Sequence, residues 1–482
     1  MAGAGRVAVC DRYPGENPET LRRGRFIDMT NGFSPPDRRD PRRARPFCLF
    51  LKTSRARRHP SPRADAVVHL GAPSASGLGL HHNLHQFWLL PEPEQESVQA
   101  LLLWALGVWA ADKLVLRTLQ PDAWSRQFII HCPLPPAWAE VAPNLEPLLA
   151  FLTGDKWTIR PQEARPDLNF AQTWPHRWQP TAISLFSGGL DSLTGAIDLL
   201  EKGHRLVLVS HYDYGQLAAV QQTLAAELAR HYGPDCVHHL ALRVQFEGPE
   251  LTLRSRSLLY LALGVTAAAA FPDNLPLFIP ENGWISLNPP LTLNRLGTYS
   301  TRTTHPHFLE GLAAIWRQVG LGRELINPYQ ESTKGRILAQ CCNLDLLHKW
   351  TPLSISCARP VVGRWQGQAA GACGYCYPCL VRRAALHRLG WDRREEYRVD
   401  VLADAEVLLH RVKGRNLRAL CLAVKTWEEA PQEILSRLWL GTTPRDLSWR
   451  AAAATRILDA GFKEIALWLR DKGGTGIRKF LG

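Results

Sequence analysis

No apolar run in this 482-residue chain is long enough to cross a bilayer. The longest, Val98 to Ala111 and Leu258 to Phe271, fall short of the ~20 residues a spanning helix needs, and they read as buried helices. No apolar segment follows the first arginines, so no secretory leader and no membrane association are expected. Internal repeats are absent. Acidic residues are outnumbered by basic ones, 44 to 57, leaving a formal charge of +13.

That charge is unevenly placed. Residues 1–65 hold 15 Lys/Arg against 7 Asp/Glu, a surplus of 8. A basic surface suits nucleic acid or another anionic partner. An Arg- and Pro-rich stretch such as DRRDPRRARP (37–46) reads more simply as a solvated tail, so nucleic acid is not the favoured partner. The eleven cysteines are odd in number, and six of them fall between Cys341 and Cys379. Without a leader, that pattern points to a reducing cytoplasm and a metal site rather than disulfides.

The expected organisation is a basic tail over 1–65, an α+β accessory domain over 66–160 and a proline-rich linker over 161–180. Residues 181–392 then alternate strands with helices, and 393–482 are helical. Within 66–160, AVVHL, QFIIHCPL and KWTIR read as strands and 96–111 as a long apolar helix. His81, His82 and His85 lack neighbouring acids or cysteines and do not read as a metal site. After residue 181, strands at 182–186, 205–210, 236–242 and 275–280 alternate with helices near 192–202, 217–232 and 255–271. That alternation predicts a parallel sheet covered by helices, an α/β fold.

One handover from strand to helix carries chemistry. The run ISLFSGGLDSLTGAIDLL breaks at Ser187-Gly188-Gly189-Leu190-Asp191-Ser192 and resumes at once as a helix. Two glycines let backbone approach an anion, two serines add hydroxyls, and the helix that follows offers unpaired N–H groups and a favourable dipole. Asp191 beside a phosphate makes sense if it meets magnesium (Mg2+), directly or through water. Its alternative role is a helix cap. The loop is neither a Walker loop nor GxGxxG.

The second constellation is Cys357 with Cys373, Cys376 and Cys379, the last three spaced C-x2-C-x2-C. Four thiolates at such turns suit a closed, structural zinc (Zn2+) site; an iron–sulfur cluster and redox cysteines are the rival readings. Cys341 and Cys342, adjacent in sequence, read as packing.

SGGLDS resembles the SGGxDS signature of the PP-loop ATP pyrophosphatases. That resemblance implies a Rossmann-like (HUP-type) domain that cleaves ATP between its α- and β-phosphates. With the cysteine quartet, the chain is similar to the QueC family of 7-cyano-7-deazaguanine synthases. YDYGQ (212–216), Arg256 ahead of an apolar helix, Thr333-Lys334 and CGYCYPCLVR (373–382) all fit the resemblance, which covers about 181–392. Arg-His after YGQ is replaced here by Leu217-Ala218, and the family's Ser-Gly-Tyr-Pro-Asp run gives way to the polar block 281–312. Both that block and the long N-terminal part look like the QatC-type branch of anti-phage operons.

The resemblance implies a ligase that adenylates a deazapurine carboxylate, 7-carboxy-7-deazaguanine, and passes it to an amine. Ser187, Gly188, Gly189, Leu190 and Ser192 would hold the outer phosphates of ATP and Asp191 the metal. Lys334 and Arg256 would offset phosphate charge. Tyr214 and Gln216 would lie at an adenine or substrate edge, and Glu281 and Asn282 would read a guanine-like edge. In the defence branch the acceptor is expected to be a partner protein's amine; in a plain synthase it is ammonia. A tRNA-modifying PP-loop enzyme and a non-enzymatic nucleotide-binding assembly protein are the remaining alternatives.

Overall fold

A computed structural model describes residues 45–53, 64–70, 78–92, 94–162, 166, 168, 170–296, 302–363, 367–403, 405–440 and 450–482. Most of the expected basic tail (1–44 and 54–63) lies outside the described residues, as do 297–301 of the polar block.

The first layer comprises β1 (Phe47–Lys52), β2 (Ala66–His69), β3 (Leu78–Gly79), β4 (His81–His82), α1 (Gln95–Leu114), β5 (Gln127–Pro133), α2 (Pro136–Thr153) and β6 (Lys156–Gln162). Five of these strands form one all-parallel sheet in the order β3-β2-β1-β5-β6. Two expectations are corrected here. Phe47–Lys52, placed by the sequence reading in the tail, is the central strand, with Leu49 and Leu51 fully buried. The layer is α/β rather than α+β, because its sheet is all parallel and α2 connects the parallel neighbours β5 and β6. α1 is apolar all round, and 16 of its 20 residues are buried. It is sandwiched, with the first sheet on one side and a helix of the second layer on the other.

The expected linker is not a free tether. β6 runs on through Gln162. Beyond it, Trp174 meets Trp88 at 4.8 Å and Phe271 at 5.1 Å between ring centroids. His176 hydrogen-bonds His238 at 2.7 Å. These aromatics seam the two layers together.

The second layer runs β7 (Ala182–Leu185), α3 (Leu190–Glu201), β8 (Leu206–Tyr212), α4 (Gly215–Tyr232), β9 (Val237–Gln245), α5 (Arg256–Ala269), β10 (Leu277–Phe278), α6 (Gly283–Leu287), α7 (Pro306–Gln318), β11 (Leu325–Ile326), α8 (Lys334–Ala339), α9 (Leu344–Trp350) and α10 (Tyr377–His387). Its sheet order is β11-β10-β7-β8-β9-β4, parallel except for β4, which adds antiparallel at the β9 edge. Alternate residues point to opposite faces. Ile183, Leu185, Val207 and Val209 join a core shared with α5, α1 and the first sheet. Ala182, Leu206 and Leu208 face α3 and α4. Strand order reverses at β7, the position where open parallel sheets bind ligands at their carboxyl edge.

The chain ends in α11 (Ala405–Leu409), α12 (Arg415–Glu429), α13 (Pro431–Trp439), α14 (Arg450–Lys472) and α15 (Thr475–Leu481). They bury Leu420, Phe462 and Trp468 in a core that also takes in Trp284 and the cysteine quartet. Among the described residues no helix is long and apolar enough to cross a membrane.

Candidate functional site

The loop after β7 occupies that reversal point. Gly188 has φ +79°, a left-handed conformation that L side chains rarely adopt, and a Cβ there would come within 3.2 Å of Gln221 Cγ. The Ser187 and Ser192 hydroxyls lie 3.2 Å apart, with Ser187 exposed and Ser192 buried. The N-cap position of α3 is Gly189, which has no side chain to offer, and the helix N-terminus opens onto the loop. The loop is clasped from a distant segment: Ile355 N donates to Gly188 O at 2.9 Å, and Leu190 N donates to Ser356 Oγ at 3.1 Å. Leu190 therefore serves through its backbone; its side chain is fully buried in the core.

Asp191, in the first turn of α3, is buried and forms an ion pair with buried Lys334. Its other oxygen accepts from Asn282 Nδ2 at 2.6 Å and from Asn282 N at 3.3 Å. Burial raises the Asp191 carboxyl, but the Lys334 ammonium and hydrogen bonds from Glu281, Lys334 and Asn282 outweigh it and hold the group below the ordinary carboxylate range. Burial, and then the charge of Asp191, push half-buried Glu281 well above its ordinary range. The two neighbouring carboxyls are thus shifted in opposite directions, Asp191 down and Glu281 up.

Asn282, expected at a guanine-like edge, has its amide engaged within the fold. It is fully buried. Its amide oxygen accepts from Ile285 N at 3.0 Å, capping α6, and its amide nitrogen holds Asp191. Glu281 remains accessible beside it.

Lys334 is the first residue of α8, which Thr333 caps by accepting from Arg336 N at 3.2 Å. Glu464, on α14, accepts from Thr333 Oγ1, from Gly335 N at 3.2 Å and from Arg388 Nη1 at 2.8 Å. The C-terminal helices therefore fix the helix that presents Lys334. Sequence reasoning missed Glu464, which carries no local signal, and Ser356, whose signal was its place beside Cys357.

Arg256 opens α5 at the carboxyl end of β8. It donates Nε to His211 Nδ1 at 3.2 Å and Nη2 to His211 O at 3.3 Å. Tyr260 Oη (2.9 Å) and Gln221 Nε2 (3.1 Å) donate to the same carbonyl. Gln221 Nε2 also reaches Ser187 O at 3.3 Å, so one side chain separates Arg256 from the glycine loop. Tyr214 is half-buried near Arg256 and Cys357; burial, followed by smaller electrostatic influences, raises its hydroxyl above the ordinary range. Gln216 is exposed on the first turn of α4. The structure thus brings together Ser187 to Ser192, Lys334 and Glu281, with Arg256 and Tyr214 along the neighbouring strand end.

The sulfurs of Cys357, Cys373, Cys376 and Cys379 all lie within 4.8 Å of one another. The Cys357–Cys376 and Cys373–Cys379 separations are 3.8 and 3.9 Å. A tetrahedral ion with bonds of ~2.3 Å spaces its sulfurs about 3.8 Å apart, so the quartet fits zinc. Backbone N–H groups of Ala358, Arg359, Cys373 and Cys376 point at these sulfurs at 3.3–3.4 Å, as thiolates require. Gly374, at φ +86°, makes the turn; a Cβ there would lie 2.0 Å from Val399 O.

Residues 181–280 match the family model described as queuosine biosynthesis protein QueC. Three relatives bear the name 7-cyano-7-deazaguanine synthase. The protein of Parasynechococcus marenigrum is 28% identical over 239 residues, spanning 44% of this chain and 95% of the relative. That of Thiobacillus denitrificans is 28% identical over 232 residues, 44% and 96%. That of Novosphingobium aromaticivorans is 29% identical over 245 residues, 45% and 94%. No solved structure matches at a significant level. These likenesses support a QueC-like PP-loop domain, with more than half of the chain outside each alignment.

Proposed function

We propose that this protein adenylates a deazapurine carboxylate, 7-carboxy-7-deazaguanine, and transfers the acyl group to an amine. The observation that carries the reading is the α3 N-terminus behind Gly188 and Gly189, whose N-cap glycine offers no side chain, with Lys334 held by Asp191 at the same edge of the sheet. Such an edge suits the β- and γ-phosphates of ATP. Ser187 and Ser192 add hydroxyls, and Arg256 supplies a second fixed cation. Tyr214 and Gln216 border the place left for the base, and Glu281 is the acid that accepts from a guanine-like edge. Asp191 is the carboxyl that would meet magnesium accompanying ATP, whose charge offsets that of the phosphates.

In the first step a carboxylate oxygen of the substrate attacks the α-phosphorus. The bond from that phosphorus to the bridging oxygen breaks, and pyrophosphate leaves with the electron pair. In the second step an amine attacks the acyl carbon, AMP leaves, and the nitrogen loses a proton. The chain's contribution is to hold the triphosphate in line and to stabilise charge on the leaving group. The cysteine quartet, holding zinc, would have no open position and would act by bracing 355–357 against the glycine loop.

The acceptor in this proposal is the amine of a partner protein, in anti-phage defence. The polar block 281–312 and the first α/β layer, which make up much of the chain beyond the PP-loop core, motivate it. A second reading, nitrile synthesis from ammonia, is favoured by the relatives' name and by the near-complete coverage of their length. The deciding experiment supplies ATP and 7-carboxy-7-deazaguanine with no amine, with ammonia, or with co-expressed candidate proteins, and follows pyrophosphate and product mass. A mass addition on a protein supports the first reading. Free 7-cyano-7-deazaguanine with unmodified proteins supports the second. Pyrophosphate release only in the presence of tRNA would overturn both.

A further inference from the structure

Asp112, near the C-terminal end of α1, is fully buried and divides its two oxygens between two layers of the molecule. Oδ1 accepts from Arg126 Nη2 at 2.5 Å, inside the first layer. Arg126 continues to Asp155 at 2.7 Å, and Asp155 to Arg117 at 2.8 Å. Oδ2 faces the second layer. It accepts from Ser255 Oγ at 2.7 Å, Ser255 N at 3.2 Å and Thr252 Oγ1 at 3.0 Å. Ser255 is the N-cap position of α5, and the next residue is Arg256.

The segment leading to Ser255 is gripped at further points by the same end of α1. Glu250 N donates to Lys113 O at 3.1 Å, and the Glu250 carboxylate accepts from Arg117 N at 2.9 Å. At Gly248 a Cβ would lie 2.3 Å from Lys113 O, so only glycine permits this approach. Arg254 lies over the Trp124 ring at 4.7 Å. Glue between two layers would need only apolar contact, which α1 and α5 already supply. A buried carboxylate oxygen given to three donors of one turn fixes the direction in which that turn launches its helix.

We infer that Asp112 is a positioning residue for Arg256: the first layer sets the start of α5 and thereby the guanidinium at the carboxyl edge of the second sheet. The inference rests on the reading that Arg256 serves the nucleotide. It gives the added layer a role in nucleotide binding, independent of any acceptor protein docked on it.

The test uses the full chain, MgATP titrated by calorimetry, and melting temperature as a control. Asp112→Asn leaves Arg126 with one acidic partner fewer and so puts the fold itself at stake; the informative variants are Ser255→Ala and Ser255→Ala with Thr252→Val, which leave the ion network intact. The double variant should weaken MgATP binding about three- to tenfold, the range of one or two lost hydrogen bonds. In an Arg256→Ala background the same changes should have no further effect, because they act through that guanidinium. If Arg256→Ala alone leaves MgATP affinity unchanged, or wild type does not bind MgATP, the reading of the site falls and the inference with it. If Arg256→Ala weakens binding while the Ser255/Thr252 variants do not, or their effect persists undiminished without Arg256, the positioning role alone is overturned.

Discussion

Lys334 and Asp191 stand 143 positions apart in the chain, yet they form a buried ion pair at the carboxyl edge of the second sheet. Each closes the other's charge, and Asn282 satisfies the remaining carboxylate oxygen. Breaking a buried pair by removing one partner leaves an uncompensated charge, which costs about 3–5 kcal/mol. Lys334→Met should therefore lower stability to urea by about that much and abolish ATP-dependent pyrophosphate release. Adding Asp191→Asn should recover most of the stability and none of the activity. Recovery of both would show that the pair is only a fold element.

Much of this site is legible in the sequence because its chemistry is contiguous. SGGLDS places the glycines, hydroxyls and acid in six residues, and the flanking apolar runs identify the strand and helix. The quartet is similarly local, within 23 residues. What escapes is long-range. Nothing near Glu464 marks it as the partner of Thr333, 131 residues away. Asn282 reads as a polar loop residue, and only the fold turns its amide inward as a cap and a clamp on Asp191. β1 is masked by its arginine-rich surroundings; the six residues FCLFLK become a central strand only when β2 and β5 flank them.

Glu464 binds the donors at the start of α8 from a distant part of the chain, so it should act on catalysis through Lys334. Losing a cap costs about 0.5–2 kcal/mol. Glu464→Ala should destabilise by that amount and, if Lys334 serves the phosphates as proposed, reduce kcat/KM for pyrophosphate release about tenfold. Glu464→Gln, which keeps an acceptor, should fall between. Steady-state kinetics with urea unfolding on the same preparations separates the two effects: a stability loss without any kinetic change would restrict Glu464 to the fold.

His211 gives the protein an acid-side weakness. Burial, and then the Arg256 guanidinium, push its folded pKa down to about 3, although the Val244 carbonyl and the smaller Lys113 charge also act on it. The unfolded chain takes up this proton near ~6.5, so it binds more protons than the native state over the interval between the two values. The stability His211 contributes is therefore complete above ~6.5 and is lost as pH falls toward the folded value, at about 1.4 kcal/mol per pH unit. Between pH ~7 and ~5 this single group should remove about 2 kcal/mol. Urea midpoints across that range should fall more steeply for wild type than for His211→Asn. Parallel slopes would mean that the ring is not held neutral between Arg256 and Val244.

The cysteine quartet should matter to nucleotide binding without touching the nucleotide. Ser356 Oγ accepts from Leu190 N, and Ile355 N donates to Gly188 O, so the residues just before Cys357 hold the glycine loop in place. A metal that fixes Cys357 against Cys373, Cys376 and Cys379 fixes this strap as well. Elemental analysis of the purified protein should find one zinc per chain, and Cys373→Ser should reduce it sharply. The same variant should lower the melting temperature and weaken MgATP binding, with the fold of the first layer retained by circular dichroism. Ser356→Ala tests the strap with the metal in place, removing one bond to the loop and raising the Kd for MgATP about three- to tenfold. Full metal loss with unchanged MgATP affinity would detach the quartet from the nucleotide site.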